Sequence, residues 1–109
     1  MNKYHNKKTV VDNIKFDSKL EANRYSELKL LERAGEIFDL KLQPRFLLQP
    51  NFKYKGKTHR KIEYVADFEY ICNGQVIVED VKGVKTEVFK LKEKLLLYKY
   101  PKINFRLVE

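Results

Sequence analysis

The sequence predicts a single α/β domain, and three observations favour this class. At 109 residues, the chain is long enough to bury one core and has little room for a second. Its hydrophobic residues, 43% of the total, recur in periodic segments, as in a packed domain and unlike a disordered chain. Those segments follow the order helix, three strands, helix, strand, which is typical of α/β folds.

The chain begins with a basic arm and a small hairpin. Residues 1–8 carry several lysines without an apolar period, so we expect a mobile arm. Residues 10–16 predict a hairpin, because Asp12 and Asn13 tolerate the positive φ angles of a two-residue turn.

The first helix is predicted from Asp17 to about Ala34. Asp17 and Ser18 are good N-caps, and Gly35 supplies a stop. After it, residues 46–48 and 52–54 favour edge or irregular strands, because prolines interrupt them.

A β-hairpin is the strongest local prediction. Residues 59–72 form a long β-rich run, Asn73-Gly74 is a typical two-residue turn, and residues 75–81 return.

A second helix is predicted after Thr86, which is a good cap. Apolar residues recur in it at helical spacing, and Pro101 ends it. These residues are Val88, Leu91, Leu95 and Tyr98. A last strand, residues 104–108, closes the chain.

The charge of the chain favours a polyanionic partner. Lys and Arg number 23 against 15 Asp and Glu, which gives a net charge of +8. Nucleic acid is the first candidate, although a basic surface also serves solubility alone.

Cysteine, histidine and hydropathy exclude several other classes. Cys72 is the only cysteine and the chain has two histidines, too few for a disulfide or a zinc cage. No apolar run approaches the roughly 20 residues of a membrane span, and no signal-peptide core follows the basic start. We therefore expect a cytoplasmic protein without a membrane partner.

The hairpin register brings ionisable groups together. If Asn73-Gly74 is a two-residue turn, Asp67 lies directly opposite Asp80, about 5 Å away between Cβ atoms. Lys82 points to the same face, roughly 7–8 Å from Asp67, and Glu79 points to the other.

Two opposed carboxylates repel unless a cation, a proton or solvent stabilises them, and oxygen ligands of this kind suit Mg²⁺. Lys82 could orient the attacking water or balance charge on a phosphate. The alternative is a solvated ion cluster of little energetic consequence. Apolar residues on the same face favour a functional role; they are Val65, Ile71, Val76 and Val78.

An aspartate, a hairpin and the motif Asp80-Val81-Lys82, within this order of elements, resemble the PD-(D/E)xK nuclease superfamily. The whole chain also resembles a group of small phage proteins placed in that superfamily. The stretches that carry this resemblance are Lys7-Lys8-Thr9, Phe16-Asp17-Ser18-Lys19, Leu42-Gln43-Pro44, Ala66-Asp67-Phe68 and Val78-Glu79-Asp80-Val81-Lys82-Gly83.

The resemblance implies a restriction-endonuclease-like domain, with a mixed sheet flanked by helices, and Mg²⁺-dependent cleavage of DNA. Asp67 and Asp80 match the metal ligands, Lys82 matches the motif lysine, and Mn²⁺ is the expected substitute metal. The chain departs from the motif in one respect, because Ala66 stands where the proline of the name would be.

Glu21, in the first helix, has two interpretations. Several resolvase-like and transposase-like members place a further acidic ligand in this helix, and Glu21 is the candidate. Alternatively, Ser18 and Glu21 form a capping box at the helix start.

The remaining expectations concern partners. We expect DNA-facing charges at Lys7, Lys8, Arg60, Lys61, Lys90 and Lys94. For the helical pair Lys90 and Lys94, a solvated basic face explains the pattern equally well. Proteins similar in these motifs often pair, which makes a homodimer a candidate assembly.

The sequence thus predicts a DNA endonuclease, structure-selective in the manner of resolvases, in the cytoplasm of an infected or lysogenic bacterial host. The alternatives are a DNA-binding module of the same fold that does not cut, and a phage accessory protein that acts through protein contacts.

Overall fold

The chain folds into strands and two helices, which the computed structural model describes for residues 8–81 and 84–109. In chain order the elements of these residues are β1 (Thr9–Val11), β2 (Ile14–Phe16), α1 (Lys19–Arg33), β3 (Phe38–Leu42), β4 (Arg45–Gln49), β5 (Phe52–Tyr54), β6 (Lys57–His59), β7 (Ile62–Val65), β8 (Phe68–Cys72), β9 (Gln75–Val81), α2 (Glu87–Lys99) and β10 (Asn104–Val108). The expected arm, residues 1–8, lies outside the described residues except for Lys8.

A four-stranded sheet forms the centre, in the spatial order β10-β9-β8-β3. β3, β8 and β9 are antiparallel neighbours, and β10 runs parallel to β9. The strands of this sheet and the two helices follow the order helix, three strands, helix, strand, although four further strands lie between β3 and β8 in the chain. The α/β class and the mixed sheet are therefore confirmed.

The edge strand of this sheet differs from the prediction. It is β3, residues 38–42, to which the sequence pattern assigned no element, whereas β4 pairs with β7 and β5 with β6 outside the sheet. The register of β3 shifts between Phe38 and Lys41, and Asp39 has a φ of 55°. This irregularity breaks the alternation from which a strand is predicted.

The hairpin register between β8 and β9 is confirmed. The pairs run from Phe68 opposite Glu79 to Cys72 opposite Gln75, around a turn in which Asn73 and Gly74 have positive φ. The predicted run of residues 59–72 is nevertheless not one strand, because it divides into β6, β7 and β8.

The two helices cover opposite faces of the sheet. Residues of α1 pack with Phe68, Tyr70 and Ile77 in one buried cluster. Phe89 and Leu96 of α2 pack on the other face. Side chains alternate along β9, so consecutive residues enter different clusters. The sheet thus separates two cores.

The helix boundaries agree with the sequence. Ser18 caps α1 by accepting the Glu21 N–H at 3.1 Å, and Gly35 follows the helix with a φ of 76°. Thr86 caps α2 in the same way through the Phe89 N–H at 3.1 Å.

The buried face of α2, however, is not the predicted one. Val88, Leu91, Leu95 and Tyr98 are 40% to 86% exposed, and Phe89 and Leu96 are buried instead. The helix carries two apolar stripes, and the stripe that meets the sheet lies one residue further along. Periodicity alone does not distinguish two such stripes.

A buried ion pair fastens α1 to β9. Arg24 Nε and Nη2 donate to Glu79 Oε1 and Oε2 at 2.7 and 2.6 Å, and the Tyr70 hydroxyl donates to the same carboxylate. Burial raises the pKa of Glu79, whereas these hydrogen bonds and the charges of Arg24 and Arg106 lower it. The lowering effects are larger together, so the pKa lies below its ordinary value. Glu79 is therefore buried in its ionised form.

Among the described residues, neither helix is long and apolar enough to cross a membrane.

The Arg24→Met variant should lose about 3–5 kcal/mol of unfolding free energy, because it leaves the Glu79 carboxylate buried without a cation. Lys41→Met, which breaks the exposed Lys41–Glu69 pair, should lose less than about 1 kcal/mol. Urea unfolding measures both losses. Adding Glu79→Gln to Arg24→Met should recover part of the loss, and an equal or larger loss in the double variant would contradict a buried charge.

Candidate active site

Asp80 lies at the centre of the candidate site, near the end of β9. The strand is buried in its second half, and Asp80 is 1% exposed. The Tyr64 hydroxyl, on β7 outside the central sheet, donates a hydrogen bond to Asp80 Oδ2. Burial and this hydrogen bond raise the pKa of Tyr64, so the hydroxyl remains a donor. The Asp80 carboxylate is thereby oriented towards the α2 side of the sheet.

Asp67 occupies the break between β7 and β8. Its N–H donates to the Glu79 carbonyl at 3.1 Å, and its carbonyl accepts the Gln43 N–H at 3.0 Å. The Ala66 N–H donates to the Pro44 carbonyl at 3.1 Å. These bonds join the break to both neighbouring chain segments. Asp67 is consequently fixed by its backbone.

The side chain of Asp67 faces β9, as the register predicts. The Val81 N–H donates to Asp67 Oδ2 at 2.7 Å. Burial raises the pKa of Asp67 to about 8, with further contributions from the hydrogen bond with Asp80 and from the charges of Asp80 and Glu21, against the lowering effect of the Val81 N–H. The register of β8 and β9 and this hydrogen bond therefore place Asp67 beside Asp80.

Glu21 and Asp67 line the same cavity. Its volume is about 170 Å³, and its walls are Ile14, Lys15, Phe16, Glu21, Leu42, Gln43 and Asp67. Glu21 is close enough to raise the pKa of Asp67. Ser18 meanwhile caps α1 through the backbone N–H of Glu21, not through its carboxylate. Ser18 therefore provides its half of the capping box, and Glu21 at the same time lies beside Asp67.

The donor set is compatible with Mg²⁺ and less so with softer metals. All the acidic donors are carboxylates, the hard oxygen ligands that Mg²⁺ prefers. In residues 8–81 and 84–109, no three His, Cys, Asp or Glu side chains meet closely enough to hold a metal by themselves. Mg²⁺ in phosphoryl-transfer sites often takes only one or two carboxylates, with waters and phosphate oxygens as the other ligands. Asp67 and Asp80 supply such a pair.

Two of the predicted basic residues, Lys7 and Lys82, lie outside the described residues. The other five are exposed to solvent: Lys8, Arg60, Lys61, Lys90 and Lys94. Lys61 and Lys90 are within 3.7 and 3.5 Å of Glu63 and Glu87. Of the predicted residues that the structure describes, the acidic ones come together at the site and these five basic ones do not.

The sequence did not identify Tyr64, Gln43 or Lys15 as residues of the site. In one unbroken strand over residues 59–72, Tyr64 would share a face with Phe68 and Tyr70, opposite the aspartates. The break at Ala66–Asp67 instead places Tyr64 and Phe68 in different clusters. Gln43 has a φ of 51°, and the Gln-Pro dipeptide was the only local signal of a turn there.

Comparison with known proteins gives a family without an assigned activity. A family model described as "Protein of unknown function (DUF1064)" matches residues 1–109. No curated protein and no solved structure matches the chain significantly.

In metal-free buffer, the unfolding free energy should fall as pH rises towards about 8. Folding raises the pKa of Asp67 from 3.8 to about 8, so the folded state retains a proton that the unfolded chain has already released. The stabilisation is complete below pH 3.8 and lost once the pH passes about 8. Urea unfolding between pH 5 and 9 measures this fall.

The Asp67→Asn variant should lack this part of the pH dependence, whereas the exposed Asp39→Asn variant should keep it. Asn suits the positive φ of residue 39 as well as Asp does. Parallel profiles for the wild type and Asp67→Asn would mean that Asp67 is ionised throughout the range.

Proposed function

The chain belongs to the DUF1064 family of unknown function, and from its site we propose that it is a Mg²⁺-dependent DNA endonuclease of the PD-(D/E)xK kind, of phage origin. The observation that carries the proposal is the placement of Asp67: the strand register brings it beside Asp80, and it lines one cavity with Glu21. Acidic groups held together in a partly buried place are costly for stability and are typical of sites that bind a cation.

The fold supports the same proposal. The order of elements and the mixed sheet are those that the resemblance to PD-(D/E)xK nucleases implies. In this arrangement the last residue of β9, Val81, directly precedes the motif lysine, Lys82.

The proposed reaction is hydrolysis of a phosphodiester. Asp67 and Asp80 hold Mg²⁺, with Glu21 at the cavity wall as the third acidic group. When bound, Mg²⁺ supplies positive charge that stabilises the transition state at phosphorus. Lys82 orients the attacking water or balances the phosphate charge. The water oxygen forms the new bond to phosphorus and releases a proton to solvent, the bond to one ester oxygen breaks, and that oxygen takes up a proton from solvent.

DNA as the substrate is supported by the charge of the chain, +8, and by the exposed cations of β6 and α2. Selectivity for branched structures and a cytoplasmic location in a bacterial host complete the proposal. A DNA-binding module that does not cut and an accessory protein that acts through protein contacts are the competing functions.

Asp67→Asn and Asp80→Asn should each lower the rate of plasmid cleavage by roughly 10²-fold or more, because each removes a carboxylate that holds the metal. Lys82→Ala should also lower the rate, and Glu21→Gln should raise the Mg²⁺ concentration needed for half-maximal activity. Cleavage of supercoiled plasmid and of a four-way junction, in Mg²⁺, Mn²⁺ or EDTA, measures these effects.

Asp39→Asn is the matched control, since it makes the same chemical change on an exposed residue. If Asp80→Asn cleaves as fast as the wild type, the proposed site is wrong. DNA binding without cleavage in either metal would favour the binding module. If the protein neither binds nor cleaves DNA at low salt, the accessory function becomes the better explanation.

The exposed stripe of α2 supports the homodimer. Val88, Leu91, Leu95 and Tyr98 have the 3-4-3 spacing by which two helices pack along a seam. The first turn is acidic at Glu87, and cations lie towards the end of the helix, so antiparallel packing places opposite charges side by side. We propose that a second copy of the chain covers this stripe.

Leu91→Glu should convert the dimer to a monomer of 13.1 kDa, because it places a charge at the centre of the apolar seam. Light scattering after size-exclusion chromatography measures the mass. Leu30→Glu is the control, since Leu30 on α1 is equally exposed, at 63%. A monomeric wild type at micromolar concentration would contradict the dimer.

A further inference from the structure

A two-stranded ribbon outside the central sheet has no role in the site described above. β5 and β6 form it, and every residue from 51 to 58 is exposed. Lys55 and Gly56, with φ of 49° and 76°, make the tight turn at its tip. We call residues 51–61 the basic ribbon.

The basic ribbon continues a hairpin that is anchored in the core. The base of the ribbon joins the paired strands β4 and β7, whose residues Leu48 and Tyr64 are buried against α2. Tyr100 Oη and Lys99 Nζ donate to the carbonyls of Leu47 and Leu48 at 2.9 and 3.1 Å. The base is thus fixed while the tip is open to solvent.

The charge of the basic ribbon is concentrated. It contains five cations and no acidic residue: Lys53, Lys55, Lys57, Arg60 and Lys61. These account for five of the eight net positive charges of the chain. Solubility alone does not require so many positive charges on so few residues. A polyanion is the ligand that neutralises this charge best.

One face of the ribbon is aromatic as well as basic. The register places Phe52 opposite His59 and Tyr54 opposite Lys57, so these four residues share a face. The rings of Phe52 and His59 stack 4.8 Å apart, which contributes to strand pairing. Tyr54 is 61% exposed, with the Lys55 ammonium 5.5 Å from its ring centroid.

Ring exposure and positive charge are together the features by which proteins bind unpaired nucleotides. Lysines neutralise the phosphates, and each flat ring stacks on a base. In a duplex the bases are already stacked on each other, so an exposed tyrosine gains little from them. A large ring at a projecting tip exposes apolar area to water in the free protein, which is unfavourable. A base that stacks on the ring covers this area.

We propose that the basic ribbon binds a single-stranded segment of DNA, with a base stacked on Tyr54 and phosphates at Lys53, Lys55 and Lys57. The inference rests on the proposed function in taking DNA as the substrate, but it requires no cleavage. The hairpin of the ribbon ends at Val65, two residues before Asp67, so a strand bound along it is directed towards the site.

The test is fluorescence anisotropy in EDTA, with a labelled 20-nucleotide single strand and the duplex of the same sequence as probes. Tyr54→Ala should weaken binding of the single strand about fivefold or more and change binding of the duplex less than twofold, because only the unpaired bases stack on the ring. Lys53→Gln/Lys55→Gln/Lys57→Gln should reduce the salt dependence of single-strand binding by about two units of slope.

The matched controls are Phe38→Ala, an aromatic side chain of β3 that is 57% exposed, and Lys29→Gln/Lys41→Gln/Lys102→Gln, which removes the same charge elsewhere. Both should bind as the wild type does. Urea unfolding establishes that each variant is folded.

Unchanged single-strand binding by Tyr54→Ala would overturn the proposal, as would a ribbon triple variant that binds like its control. Equal losses for the single strand and the duplex would also overturn it. A wild type that binds DNA in EDTA but never cuts in Mg²⁺ would refute the nuclease alone and leave the ribbon assignment intact.

Discussion

The burial of β9 between two helices is the constraint on which the rest of the structure depends. Because consecutive side chains on a strand point to opposite faces, Glu79 and Asp80 enter different cores. There, the Glu79 carboxylate accepts hydrogen bonds from the Arg24 guanidinium and the Tyr70 hydroxyl and remains ionised. Asp80 faces a second carboxylate instead, so a single strand carries a stabilising ion pair on one face and half of the carboxylate pair on the other.

The ion pair of Glu79 also affects the position of Glu21. Arg24, which binds Glu79, lies one helical turn after Glu21, which lines the cavity beside Asp67. The ion pair therefore sets the position of α1 relative to β9, and with it the distance between Glu21 and the two aspartates. Arg24 thus links the helix that carries Glu21 to the strand that carries Asp80.

The sequence predicted those parts of the molecule that local chemistry determines. The turn at Asn73-Gly74 fixes the register of β8 and β9, and the opposition of Asp67 and Asp80 follows from it. Tertiary packing determined the parts that could not be predicted. The two apolar stripes of α2 give no local sign of which one meets the sheet. The break before Phe68 depends on hydrogen bonds to a segment that lies 24 residues earlier in the chain, at Pro44.

Ala66, which precedes Asp67, stands where the PD-(D/E)xK pattern has a proline. The Ala66 amide is a donor to Pro44, and a proline at position 66 has no hydrogen to give. The rigidity that a pyrrolidine ring would supply in front of the aspartate is here replaced by a tether to a separate loop. Asp67 is therefore held in place by a hydrogen bond from its neighbour to another chain segment, and a mutation in that segment could displace the Asp67 carboxylate without altering any acidic residue.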